Sequence, residues 1–396
     1  MFNWSVPNIH HEDSSWTAWD GTTTLPTSGK YYLQNDVTTS KVTAIAANTQ
    51  LTLCLNGHTL RGSARIFNVY GQLDICDCCQ KLSADKQGYI IGDSTALAPV
   101  MYTYYGSEVN IYSGNITASK TVAQAGVIAI GNDKISAATG EGDAEFNIYG
   151  GHIYGGNTTK PGGNIAAYHG GTMNIYGGTI SGGNTAGNGG NISLSASSAN
   201  DNPMVLNIYG GAKTEIHIFE GATILNGAAA AGGNIYALSP TVTMDGGLVS
   251  GGNAENGGNI AFSGDVNVEL TNGTIQGGTA TACGGNVFIQ NIGSFTFSDM
   301  TITQGSAGND GGNIYIYRDM YGDLYLKSTT PYVTLNNTLV TAGEAKHLGG
   351  GIYNMHGKLT ITGNSKIVNN TGSNLYLCHR RYLYFFWPER WNSGHR

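Results

Sequence analysis

The string GGN followed by Ile or Val occurs six times, with its Asn at Asn164, Asn191, Asn234, Asn259, Asn286 and Asn313. A seventh copy, GGGI, puts Gly351 in that place, and the successive spacings are 27, 43, 25, 27, 27 and 38 residues. The two long spacings read as the same period with a loop inserted. Self-similarity at a fixed period of this size means a solenoid, propeller or array, and it limits the fold more than any other property of the chain.

A second string runs out of phase with the first. NIYGG places Ile148, Ile175 and Ile208, and NIYSG places Ile111. Degenerate copies follow at Val242-Thr243-Met244, Val268-Glu269-Leu270, Phe295-Thr296-Phe297, Val333-Thr334-Leu335 and Leu359-Thr360-Ile361. Apolar, polar, apolar is the period of a strand. One period therefore holds about three short strands joined by Gly-rich turns. A unit so small cannot bury its own inward side chains, but stacked units bury them and pair each strand with its equivalent one turn later. The expectation is an all-β, right-handed parallel β-helix. It has about 11 turns of roughly 22–27 residues, some carrying inserted loops, when upstream copies such as Leu51-Thr52-Leu53 and Leu73-Asp74-Ile75 are included.

Composition agrees with stacking. Sixty of 396 residues are Gly and only 11% are charged. That much Gly opposes helical repeats, and Gly is not periodic at three as collagen requires. Like charges would meet turn upon turn, and residues 161–200 contain no Asp, Glu, Lys or Arg. Asn tolerates such stacking because its amide donates and accepts. The six GGN asparagines are expected to form a structural ladder at one corner. With a net charge of -7 and no basic stripe, nucleic acid is not an expected partner. No apolar run has the length of a membrane helix.

At this point the sequence resembles a known group. Gly349 to Gly372 (GGGIYNMHGKLTITGNSKIVNNTG) and Gly232 to Ala254 resemble the right-handed β-helix repeats of large bacterial surface proteins of gut Gram-positive type, within the pectin-lyase-like superfamily. Thr17 to Thr38 and Leu51 to Leu60 are similar to the segment that opens such domains. The Gly-Gly-apolar pairs are also similar to the GGAI motifs of outer-membrane adhesins. The resemblance spans Trp16 to Leu377 and implies an extracellular or cell-surface location, with leader and anchor outside this chain. It also implies a structural or adhesive stalk that contacts glycans or host surface proteins. The alternative is a carbohydrate-active β-helix enzyme, a polysaccharide lyase or glycoside hydrolase, since the superfamily holds both.

The organisation expected is an N-terminal segment and cap over 1–50, the β-helix over 51–377, and an atypical tail over 378–396. That tail, CHRRYLYFFWPERWNSGHR, holds four of the chain's seven Arg and is either an aromatic cap or the result of a frame error.

Candidate chemistry is sparse. The Tyr of NIYGG and its kin recurs as Tyr112, Tyr149, Tyr176 and Tyr209, which alternation turns outward. Stacked turns would align these rings as a ladder, which either stiffens the sheet by ring-on-ring stacking or serves as a strip that binds sugar rings or a protein partner. Equivalent later positions are Asp245, Thr271, Ser298, Asn336 and Thr362, so the ladder stops midway. Asp310, Arg318, Asp319 and Asp323 are close in sequence and are the weak candidates for catalysis. Paired-carboxylate hydrolysis needs two acids at a set separation, and neither DD nor GHG occurs. No His or Cys spacing fits a metal, and no cofactor is implied. When LTLC is laid over LDIC, Cys54 aligns with Cys76 at an offset of 22, about one turn, with both side chains outward. Neighbouring strands fall within disulfide range. A Cys54–Cys76 bridge is expected in exported protein, with Cys78 as alternative partner and Cys283 and Cys378 unpaired.

Overall fold

The structure is a computed structural model that describes residues 14–78, 87–93, 98–119, 121–122, 126–131, 144–168, 171–195, 215–290, 293–318, 330–378 and 383–385. All of its regular elements are β-strands, and all the strand pairings are parallel. The chain is a parallel β-helix.

Each turn gives one strand to each of three long stacks. The first stack begins with Thr17–Trp19, Gly29–Leu33, Gln50–Cys54 and Gln72–Cys76, and closes with Lys358–Thr362 and Leu383–Phe385. The second begins with Val37–Thr39 and Thr59–Gly62 and ends with Lys366–Val368. The third has twelve strands, from Thr43–Ile45 to Leu375–Leu377. At about 4.8 Å per turn, twelve strands span roughly 50 Å. Two-residue strands such as Asn253–Ala254, Thr279–Ala280 and Ser306–Ala307 add a narrow fourth stack. The register reaches upstream of residue 51, because Gly29–Leu33 already pairs with Leu51 to Cys54. Downstream it extends past residue 377 to Leu383–Phe385.

Alternation places every second side chain inside. Val109 and Ile111, Phe146 and Ile148, and Met173 and Ile175 occupy equivalent places in three successive turns and are buried. One apolar cluster runs from Trp19 to Leu359. Each such side chain contributes on the order of 2 kcal/mol by leaving water, offset by the entropy of ordering the chain.

The GGN corner uses its two glycines for different reasons. Gly257 adopts φ 64°, a left-handed conformation that side chains oppose. A Cβ on Gly258 would strike the Gly285 carbonyl oxygen and the Thr279 amide of the next turn. The Asn that follows points inward and is fully buried at all six positions. Each Nδ2 donates to the next Oδ1 at 2.7 Å from Asn164 through Asn191, Asn234, Asn259 and Asn286 to Asn313. Each Oδ1 also accepts a glycine N–H, and each Nδ2 also donates to a backbone carbonyl; for Asn259 these are Gly252 and Gln276. Gly351 has no side chain to continue the ladder. Asn370, from the following corner, does so instead, accepting from Asn313 at 3.1 Å and from the Gly343 N–H at 2.8 Å.

One expected repeat copy spells NIYGG at Ile208. Leu206 to Ile208 lies outside the described residues, and the strand Glu215–Leu225 pairs with Gly171–Ser181, setting Ile218 opposite Ile175. Strand register follows the apolar pattern that fills the core, and Glu215–Leu225 offers Ile216, Ile218 and Ile224 to it.

Candidate functional site

The outer face of the first stack carries three parallel rows over the turns from Glu108 to Phe219. The row nearest the strand start holds Glu108 and Glu145. The middle row holds Asn110, Asn147 and Asn174. The row beside the Gly-Gly corner holds Tyr112, Tyr149, Tyr176 and Phe219.

The middle row is a second amide ladder. Asn174 donates to Asn147 at 2.8 Å, Asn147 to Asn110 at 3.0 Å, and Asn110 to Asp74 Oδ1 at 2.9 Å. Asp74 is buried and also accepts from Gln50 at 2.7 Å, Thr52 at 3.1 Å and Gln72 at 3.2 Å. Its carboxylate is thereby the terminus of a polar network, as a buried charge requires.

The aromatic row is a tight stack. Ring centroids lie 5.1 Å apart for Tyr112–Tyr149, 4.8 Å for Tyr149–Tyr176 and 4.7 Å for Tyr176–Phe219, with planes within 11° of parallel. The rings are half-buried. Burial, then the charge of Asp74, pushes the Tyr112 phenol up to about 12. Tyr149 and Tyr176 are raised too, first by burial and then by neighbouring phenols and carboxylates. Stacking closes the faces of the inner rings against one another, so the exposed part of each is its rim. Tyr209 lies outside the described residues, and Phe219 takes the place on Tyr176 that the repeat assigned to it. The sequence signal was the Ile-His-Ile triplet at Ile216 to Ile218, hidden because it does not follow the NIYGG spelling.

At its N-terminal end the row meets the cysteines. Cys54 pairs with Cys76 in register, as a bridge requires. Their side chains stand on the outer side yet are buried, together with Cys78, under Trp16, Tyr32 and Tyr112. The sulfurs are thiols. Hydrogen bonding to Cys54 and burial raise the Cys76 thiol well above its ordinary value. Cys283 and Cys378 are also thiols. Across the Gly150-Gly151 corner, His152 stacks on Tyr154 at 4.4 Å and bonds Ser181 at 2.7 Å. Burial lowers its pKa.

Of the four residues considered for catalysis, Asp319 and Asp323 lie outside the described residues. The Asp310 carboxylate accepts the Leu348 N–H at 3.0 Å. Arg318 follows the third-stack strand Ile314–Tyr317, which separates it from Asp310 along the turn. Among the described residues, no group of three or more His, Cys, Asp or Glu is arranged to hold a metal, and no helix is long and apolar enough to cross a membrane.

A second aromatic stack went unseen in the sequence. Phe288, Tyr315, Tyr353 and Tyr376 stack on the outer face of the third sheet at 5.5, 5.1 and 5.1 Å. Its members come from VFIQ, IYIY, IYNM and LYL, which share only an apolar residue before the ring.

No family model matches the sequence, and no curated protein does. A crystal structure of a mutant periplasmic alginate epimerase is similar at 12% identity over 94% of this chain and 84% of that one, with a TM-score of 0.36. A likeness at that level carries no argument about this chain.

Proposed function

We propose that the chain is a non-catalytic stalk of an exported or cell-surface protein, a stiff β-helix whose outer faces contact glycans or host surface proteins. One observation carries this reading. The strands pair turn upon turn from Thr17 to Phe385, while side-chain ladders inside and outside join consecutive turns. Nearest-neighbour coupling of this kind gives stiffness along an axis and long lateral surfaces. The polar side chains best placed for chemistry, Asp74 and the Asn110–Asn174 row, are engaged with one another.

The test pairs two assays on the same protein. Binding is measured on an array of glycans and host surface proteins, and release of unsaturated or reducing sugars is followed with pectin and host-glycan substrates. Binding without release is the expected result. Catalytic release of product would overturn the reading in favour of a lyase or hydrolase.

A further inference from the structure

The aromatic row ends differently at its two ends. Tyr112 packs over the buried Cys54, Cys76 and Cys78 cluster, so its outer face is closed. Phe219 stacks on Tyr176 at 4.7 Å with one face, and among the described residues no ring stacks on the other. In the next turn the register partner of Phe219 is Asp245, a short and exposed residue. The aromatic stack therefore ends at Phe219, with the short side chain of Asp245 in the next place along the row, and we read this step as a notch with an aromatic floor.

The far side of the notch is polar. Asn272 Nδ2 donates to Asp245 Oδ1 at 2.8 Å and Thr271 Oγ1 approaches the same oxygen at 3.3 Å. Both reach Oδ1, and among the described residues Oδ2 has no hydrogen-bond partner, so it is the acceptor offered to a ligand. Asn272 is exposed with φ 56°. His217 and Thr243, joined at 2.6 Å, occupy the adjoining row. Glu220 follows Phe219 in the chain and Glu269 pairs with Thr243, and both are exposed.

We infer that this notch is a sugar-binding subsite for a neutral polysaccharide. A pyranose presents an apolar C–H face, which fits the open face of Phe219, and hydroxyls at its rim, which fit the Asp245 carboxylate and the Asn272 amide. Sites for such ligands combine an aromatic surface with a few placed polar groups. The carboxylates of Glu220, Asp245 and Glu269 repel a uronate chain, so acidic polysaccharides are excluded. The second aromatic stack supplies an internal contrast: the register partner beyond its Phe288 end is the buried Ala261, which brings no acceptor.

This subsite rests on the glycan-contact reading above, and affinity electrophoresis separates the two. The protein is run through native gels containing hydroxyethylcellulose, galactomannan, xylan or polygalacturonate. Retardation by at least one neutral polymer is expected, and none by polygalacturonate. Phe219→Ala and Asp245→Ala should each weaken it about tenfold, the usual effect of truncating a central binding residue. Phe219→Tyr keeps the ring and should retain binding, which guards against a folding defect. Phe288→Ala, in the second stack, should bind as the parent does. Retardation unchanged in Phe219→Ala would overturn the subsite while leaving glycan contact intact. Retardation by polygalacturonate alone, or by no polymer, would overturn it as well, and the array then decides the broader reading.

Discussion

The ladder inside the wall and the ladder outside it are built by the same repetition yet have opposite consequences. Inside, Asn259 has its two N–H groups and its carbonyl oxygen fully engaged: with Asn234, Asn286, the Gly252 N–H and the Gln276 carbonyl. Nothing is left over for a ligand. Outside, the rings from Tyr112 to Phe219 stack face on face but stay half-buried, so part of each meets solvent. Repetition that saturates its groups makes a wall. Repetition that stops short, as it does at Asp245, makes a place where something else can bind.

The contrast can be broken most forcefully from the inside. Asn259→Ala would orphan the buried Gly252 N–H and remove one hydrogen bond each from the Gln276 carbonyl, the Asn234 amide and the Asn286 carbonyl oxygen. A loss on the order of 3 kcal/mol is expected, since each unsatisfied buried group costs about 1–3 kcal/mol; thermal or denaturant unfolding measures it. Tyr149→Ser removes two stacked contacts from a half-buried row, and a smaller loss of about 1–2 kcal/mol is expected with the strand signal intact by circular dichroism. A loss equal to that of Asn259→Ala would erase the distinction.

Gentler perturbations sharpen it. Oxidising the protein with an organic disulfide under mild denaturation should link Cys54 to Cys76, with peptide mapping as the readout; Cys76 recovered only in other pairings would contradict the register. Alkaline titration followed by phenolate absorbance should find Tyr112 ionising near 12. Its pKa is raised on folding, so its contribution is whole below the ordinary Tyr value near 10 and is lost as pH climbs from there through about 12. The smallest effect belongs to His152, whose pKa is lowered by burial. The unfolded chain then takes up the proton first, so stability is whole above the ordinary His value and declines as pH falls below it. Proton NMR of the ring should show it titrating below an exposed His.

Most of the wall was legible in the spelling of the repeat. GGN marked the corner, the six asparagines and the need for two glycines. The offset between LTLC and LDIC marked Cys54 opposite Cys76. Asn370 was not legible, because it comes from the following corner to fill the place where Gly351 stands instead of the expected Asn. Phe219 was not legible either. The NIYGG copy at Ile208 spells the motif better than Glu215–Leu225 does, and only the filling of the core by Ile216, Ile218 and Ile224 assigns the strand. The second stack, from Phe288 to Tyr376, has no motif of its own.

The sequence by itself determined the parallel β-helix, the period and the buried corner, because equivalent residues must meet their own copies and only a few types tolerate that. Tertiary structure decided which residue fills a place where the repeat is interrupted, and hence where the outer aromatic row ends. The physical reason is that register after an insertion is set by burial across the whole turn, not by the local motif. The notch between Phe219 and Asp245 exists only once that register is chosen.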